Sequence, residues 1–92
     1  MPRRKGAVDP ATWRALSMAC AVRDKHRCVL CGGRRALQAH HVTARSAGGA
    51  DELGNLVSLD DQCHRFVQPR WRNYVRLFED YVAGRAARAA RG

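Results

Sequence analysis

The stretch ALQAHHVTARSAGGADELGNLVSLDDQCHR, residues 36–65, decides the fold. Ala36 to Val42 reads as a strand that carries His40 and His41 at its end. Thr43 to Gly54 is a loop containing the flexible triplet Ala47-Gly48-Gly49, and Asn55 closes it. Leu56, Val57 and Leu59 form a second short strand, after which Asp60 can cap a helix containing Cys63 and His64. The order is strand, loop, strand, helix, and the fold class expected from it is α+β.

Upstream lies Cys28-Val29-Leu30-Cys31-Gly32-Gly33, which suits a tight reverse turn between short strands. Its C-x-x-C spacing lets two thiolates converge on one Zn²⁺, and Cys63 could supply a third. Metal is favoured over a disulfide, because no N-terminal apolar stretch marks the chain for secretion and a reducing cytosol keeps thiols free. The expected location is therefore the cytoplasm of a bacterium or phage-infected cell, and the Ala- and Arg-rich composition points the same way. Asp9 and Pro10 are an N-cap and first-turn pair opening a helix to about Val22. Trp13, Leu16 and Cys20 share one of its faces, so Cys20 reads as a small buried apolar residue. His26 reads as a surface residue.

Downstream, Pro69 either interrupts the helix or starts a new one, since it removes an amide donor and disfavours helical geometry in Gln68. Trp71, Tyr74, Val75, Phe78 and Val82 then recur at helical spacing as a core-facing stripe. Gly84 is the expected C-cap. The chain thus divides into a basic flexible arm (1–8), a single domain (9–83) and a basic C-terminal tail (84–92). The arm carries Arg3, Arg4 and Lys5, and the tail has an arginine at every third position.

The chain has 92 residues, and one domain this small buries only about 60% of its unfolded surface, so a metal staple is expected. Seventeen Lys and Arg against eight Asp and Glu give a formal net charge of +9, most of it arginine. The natural partner is a polyanion. Nucleic acid is favoured over an anionic membrane, because no long basic face with an unbroken apolar opposite side is present, nor any transmembrane run. Arg45, Arg65, Arg70 and Arg72 are the candidate phosphate contacts.

Metal-assisted attack on a phosphodiester requires ligands to hold the ion, a neutral base to deprotonate water and a polar group to aim that base. His40, His41, Asn55 and His64 can supply all of these. Together with the knuckle, with Arg45-Ser46-Ala47-Gly48-Gly49 and with Cys63-His64-Arg65, they resemble the HNH endonuclease family over about residues 23–67. The resemblance implies a small ββα-metal core, here with flanking N- and C-terminal helices. It implies His41 as general base and His40 and His64 as ligands of one divalent ion. Asn55 would orient His41 or approach the ion. The products would be a 5′-phosphate and a 3′-hydroxyl.

Two departures from the family pattern matter. Zinc-stapled members usually carry a cysteine where this chain has Asp60, so the expected structural zinc set is Cys28, Cys31, Cys63 and Asp60; otherwise Asp60 is only a cap, with the fourth position left to water, to Cys20 or to nothing. Many members carry an acidic residue at His40, and imidazole suits Mn, Co, Ni or Zn better than Mg, which leaves the catalytic ion open among these five. Adjacent strand residues also point to opposite faces, so His40 and His41 cannot aim alike unless the strand bends or ends there. Neutral imidazole is needed in both jobs, so activity is expected to fall in mild acid. The expected partner is DNA, with a homodimer needed for a concerted double-strand break and a phage or bacterial protein as a further partner. The competing readings are a non-catalytic zinc-knuckle DNA-binding module and a phage DNA-packaging accessory.

Overall fold

The computed structural model describes the backbone of residues 7–91 and the side chains of residues 7–84. Most of the basic arm, residues 1–6, and the side chains of the tail lie outside that range. Helix α1 spans Pro10–Arg23, strand β1 Gln38–His41, strand β2 Leu56–Leu59, helix α2 Asp61–Val67 and helix α3 Val75–Arg91. The strands pair antiparallel, with Gln38 opposite Leu59 and His41 opposite Leu56. A two-stranded ribbon followed by a helix, with one helix on each side of it in sequence, is the α+β architecture expected.

Alternation along a strand sends neighbouring side chains to opposite faces, and both faces of β2 are covered. Val57 and Leu59 join Val67, Phe78, Val82, Val42 and Cys28 in the main hydrophobic cluster, formed with α2 and α3. Ser58 turns the other way, its hydroxyl 3.5 Å from the Cys20 thiol of α1. Burial of a side chain such as Phe78 contributes roughly 1.5–3 kcal/mol, and in so small a domain few such residues are available.

Asp9 caps α1 by accepting the Thr12 amide at 3.2 Å, as its sequence suggests. The other end carries the main polar anchor of the fold. The Asp24 carboxylate accepts Arg23 Nε at 2.9 Å, the Tyr81 hydroxyl at 2.8 Å and the Ser58 amide at 2.8 Å. One side chain thereby joins α1, β2 and α3. Burial alone would raise its pKa, but these donors outweigh burial and hold it below the ordinary carboxylate value.

Several expectations need correction. Strand β1 is shorter than residues 36–42, because Ala36 adopts φ +50° and only Gln38–His41 pair. The cysteine knuckle is a turn without flanking strands; Val29 N–H instead bonds to the Ser58 carbonyl at 3.0 Å. After α2 the chain forms a 3₁₀ segment, Gln68–Asn73, in which Arg70 leaves helical geometry at φ −115°. Trp71 therefore stands outside α3 and outside the hydrophobic cluster, whereas Phe78 and Val82 are buried as expected. Gly84 does not cap α3, which runs on to Arg91.

Candidate active site and metal centre

Strand β1 ends at His41, and its alternation separates the two histidines. His40 faces α2 and α3, its ring 5.5 Å from that of His64 and 5.8 Å from that of Phe78. It is 4% exposed, and its Nε2 finds no hydrogen-bond partner among the described residues. A buried imidazole nitrogen in that condition is costly unless something else takes its lone pair. Burial, reinforced by the neighbouring His64 and His41, pushes the His40 pKa down to about 4. His64 is also lowered by burial, against the opposing pull of Asp61. Both rings are thus held neutral, the form in which imidazole ligates metals. The residues fit a divalent ion.

His41 faces α1. Its Nε2 lies 2.8 Å from Asp51 Oδ1, and its ring stacks on that of Trp13 at 5.3 Å between centroids and 3° between planes. The Arg45 Nε is 3.3 Å from both His41 Nε2 and Asp51 Oδ1, and the Arg45 guanidinium also lies over the Trp13 ring at 4.9 Å. His40, His41, His64 and Arg45 line one cavity of about 300 Å³, together with Gln68 and Trp71. Opposite strand faces thus still open onto common space, because β1 stops there.

Asn55 ties the loop through its side chain, an arrangement compatible with its orienting His41 indirectly. Its Oδ1 accepts the Thr43 amide at 2.9 Å, and its Nδ2 donates to the Thr43 and Ala50 carbonyls at 3.1 and 3.0 Å. These bonds close the loop that brings Arg45 and Asp51 back to His41. Gly49 is required there, since a Cβ on it would fall 1.8 Å from the Thr43 carbonyl oxygen. Sequence reading missed Asp51, although its position two residues after Gly49 on this loop was a usable signal. It also took the face of Trp13 as simply apolar.

At the other end of β2, the donor atoms of Cys28, Cys31, Asp60 and Cys63 lie within 4.8 Å of one another. Ligands around one tetrahedral Zn²⁺ with Zn–S near 2.3 Å stand roughly 3.5–4 Å apart, so a small contraction suffices. The knuckle is held by the Cys28 amide bonding to the Gly33 carbonyl at 2.7 Å and the Gly32 amide to the Cys28 carbonyl at 2.9 Å, with Gly32 at φ +77°. Asp60 combines the two roles that sequence set against each other: Oδ1 caps α2 through the Cys63 amide at 2.7 Å, and Oδ2 accepts from the Cys31 thiol at 2.8 Å. Burial, the Asp60 carboxylate and the other two thiols all push the Cys63 thiol up. Such a crowd of acidic groups ionises together only around a cation. Cys20 stands apart, 0% exposed and raised to about 11 chiefly by burial.

Of the four arginines singled out, Arg45 lines the cavity. Arg72 lies over the Trp71 ring at 4.5 Å, Arg70 donates to the Phe66 carbonyl at 2.8 Å, and Arg65 pairs with Asp61 at 3.1 Å. No helix among the described residues is long and apolar enough to cross a membrane.

Residues 28–69, a little under half of the chain, match the HNH endonuclease family model. The matched segment runs from the first knuckle cysteine through both strands and α2, and holds all three cavity histidines together with Asp51 and the Cys3Asp cluster. Comparison with curated proteins and with solved structures gives no match. Helix α1, with Trp13, lies outside the matched segment.

Proposed function

We propose that the protein is a metal-dependent endonuclease that hydrolyses DNA phosphodiester bonds. The observation that carries this reading is the cavity in which His41 and Arg45 meet the buried, partnerless Nε2 of His40 and the neutral ring of His64. His40 and His64 would hold the divalent ion. Bound there, it would supply Lewis-acid stabilisation of charge on the phosphoryl and leaving 3′ oxygens.

His41 takes a proton from the attacking water. The water oxygen bonds to phosphorus, the bond from phosphorus to the 3′ oxygen breaks, and that oxygen takes a proton from solvent water. A 5′-phosphate and a 3′-hydroxyl result, and no covalent enzyme intermediate is needed. Arg45 meets the phosphate at the cavity, and Arg65, Arg70 and Arg72 hold the flanking backbone by charge. Asn55 is a positioning residue, acting through the loop rather than on the reacting atoms. Cys28, Cys31, Cys63 and Asp60 would hold a structural zinc, and their positions at the knuckle and the start of α2 would tie that helix, and with it His64, to the knuckle.

The test is to incubate supercoiled plasmid with zinc-loaded protein and Mg²⁺, Mn²⁺, Co²⁺, Ni²⁺ or additional Zn²⁺ in turn, with His41→Ala alongside at matched DNA binding. Nicking that needs a metal and is lost in His41→Ala supports the enzyme. Binding by folded wild type without nicking under any metal would favour the non-catalytic DNA-binding module.

A further inference from the structure

An imidazole serves as a base only if its lone pair is on the nitrogen that meets the water, so the group that fixes the tautomer controls the chemistry. For His41 that group is Asp51 rather than Asn55, whose amide is engaged by the Thr43 and Ala50 backbone. Asp51 is 6% exposed and its Oδ1 stands 2.8 Å from His41 Nε2. A nitrogen and a carboxylate oxygen at that distance share a hydrogen, and an ionised carboxylate has none to give. The hydrogen therefore belongs to Nε2. The Arg45 Nε–H, 3.3 Å from both atoms, is directed to the charged oxygen in preference to a nitrogen that already carries hydrogen.

Asp51 alone fixes one nitrogen and leaves the ring free to swing about that bond. Trp13 restricts the swing, since its indole lies parallel to the imidazole within 3° at 5.3 Å. It comes from α1, which Asp24 pins to the sheet through the Ser58 amide. Neither the matched segment nor its motif contains this tryptophan.

We propose that Asp51 and Trp13 form a two-sided clamp on His41, Asp51 holding it as the Nε2–H tautomer so that Nδ1 is the basic nitrogen, and Trp13 fixing the ring plane. Both are positioning residues. Their catalytic consequence rests on His41 being the base of the proposed reaction, whereas the tautomer is a property of the protein itself. The clamp also makes α1 part of the working site.

The experiment uses the full chain, zinc-loaded and ¹⁵N-labelled, at about pH 8, above the ordinary histidine range. Long-range ¹H–¹⁵N imidazole spectra report which nitrogen of His41 carries hydrogen. The expected wild-type result is a protonated-type Nε2 and a lone-pair-type Nδ1. In near-isosteric Asp51→Asn the two signals should move toward a mixture of tautomers, and kcat for plasmid nicking should fall by about 10²–10⁴-fold. KM should stay within about threefold, because Arg45 keeps its place over Trp13. Trp13→Leu should lower kcat with the tautomer retained, and Trp13→Phe, which still stacks, should restore most of it. A wild-type spectrum with hydrogen on Nδ1, or an Asp51→Asn protein with unchanged tautomer and kcat, would overturn the clamp. Should wild type cut nothing while the tautomer shifts as expected, the nuclease reading fails and the clamp stands.

Discussion

Replacing Asp24 with alanine strips the acceptor from Arg23, Tyr81, the Ser58 amide and the Cys20 thiol at once, and the structure allows the cost to be worked out. Arg23, whose side chain is 13% exposed, keeps its bond to the Leu53 carbonyl at 2.9 Å and its contact with the Leu56 carbonyl, but loses its counter-charge. Removing one partner of such a buried pair costs about 3–5 kcal/mol. The Ser58 amide, in a residue 2% exposed, is left unsatisfied as well. With Arg23 partly compensated, Asp24→Ala should lose about 4 kcal/mol. Tyr81→Phe removes a single bond to the carboxylate and should lose about 1.5 kcal/mol. Once Asp24 is gone that bond cannot be lost a second time, so Tyr81→Phe should cost about 1.5 kcal/mol less in the Asp24→Ala background than in wild type. Urea unfolding of the zinc-loaded chain, followed by the fluorescence of Trp13 and Trp71, measures all four corners of the cycle. The reasoning is refuted if Asp24→Ala costs under about 1 kcal/mol, or if Tyr81→Phe costs the same with and without Asp24. The pinned position of α1, and with it Trp13, would then need another cause.

The depressed His40 pKa has a defined sign. Because the folded value of about 4 lies below the ordinary 6.5, the unfolded chain binds more protons in between, and stability is complete above 6.5 and lost as pH falls toward 4. The whole interval is worth about 3 kcal/mol, so the stability difference between wild type and His40→Gln should shift by about 2 kcal/mol from pH 6.5 to 5, measured by urea unfolding with one equivalent of zinc per chain for the cysteine cluster. At the other centre, elemental analysis should find one tightly held zinc per chain, and chelation should unfold the protein. Asp60→Asn should weaken zinc while keeping the α2 cap, Asp60→Ala should lose both, and Asp60→Cys should bind zinc more tightly than wild type. For DNA affinity, each of Arg45, Arg65, Arg70 and Arg72 that neutralises a phosphate should lower the slope of log K against log salt by about 1 on replacement with alanine. An unchanged slope would remove that arginine from the interface.

The order of strand, loop, strand and helix is legible in the sequence because each boundary carries a residue with one dominant local use: Asp9 before Pro10, glycines within the loop, Asp60 before the last helix. The same is true of the Cys28–Cys31 knuckle, whose spacing reflects short-range geometry. Asp60 was read as the cap, but cap and ligand were set against each other, although a carboxylate has two oxygens, one serving the cap and the other facing the cluster. The pairing of Asp51 with His41 was missed for a different reason. What pairs it with His41 is the closure of the loop by Asn55 and the close approach of Gly49 to Thr43, neither of which leaves a periodic trace. Trp71 was misjudged because helical spacing was continued back across Pro69, where the backbone is 3₁₀. Gly84 was read as a stop, but a glycine in a helix costs only about 1 kcal/mol, and the alanines between residues 86 and 90 favour continuation.

The most direct test of the central claim is single-turnover nicking of supercoiled plasmid, with the nicked product then offered to DNA ligase. If His41 activates water against the phosphodiester, wild type should produce nicks that ligase reseals, since they carry a 5′-phosphate and a 3′-hydroxyl. His41→Ala, folded and bound to DNA, should cut at least about 10²-fold more slowly. Nicks made at an undiminished rate by His41→Ala, or nicks that ligase cannot seal, would contradict the account.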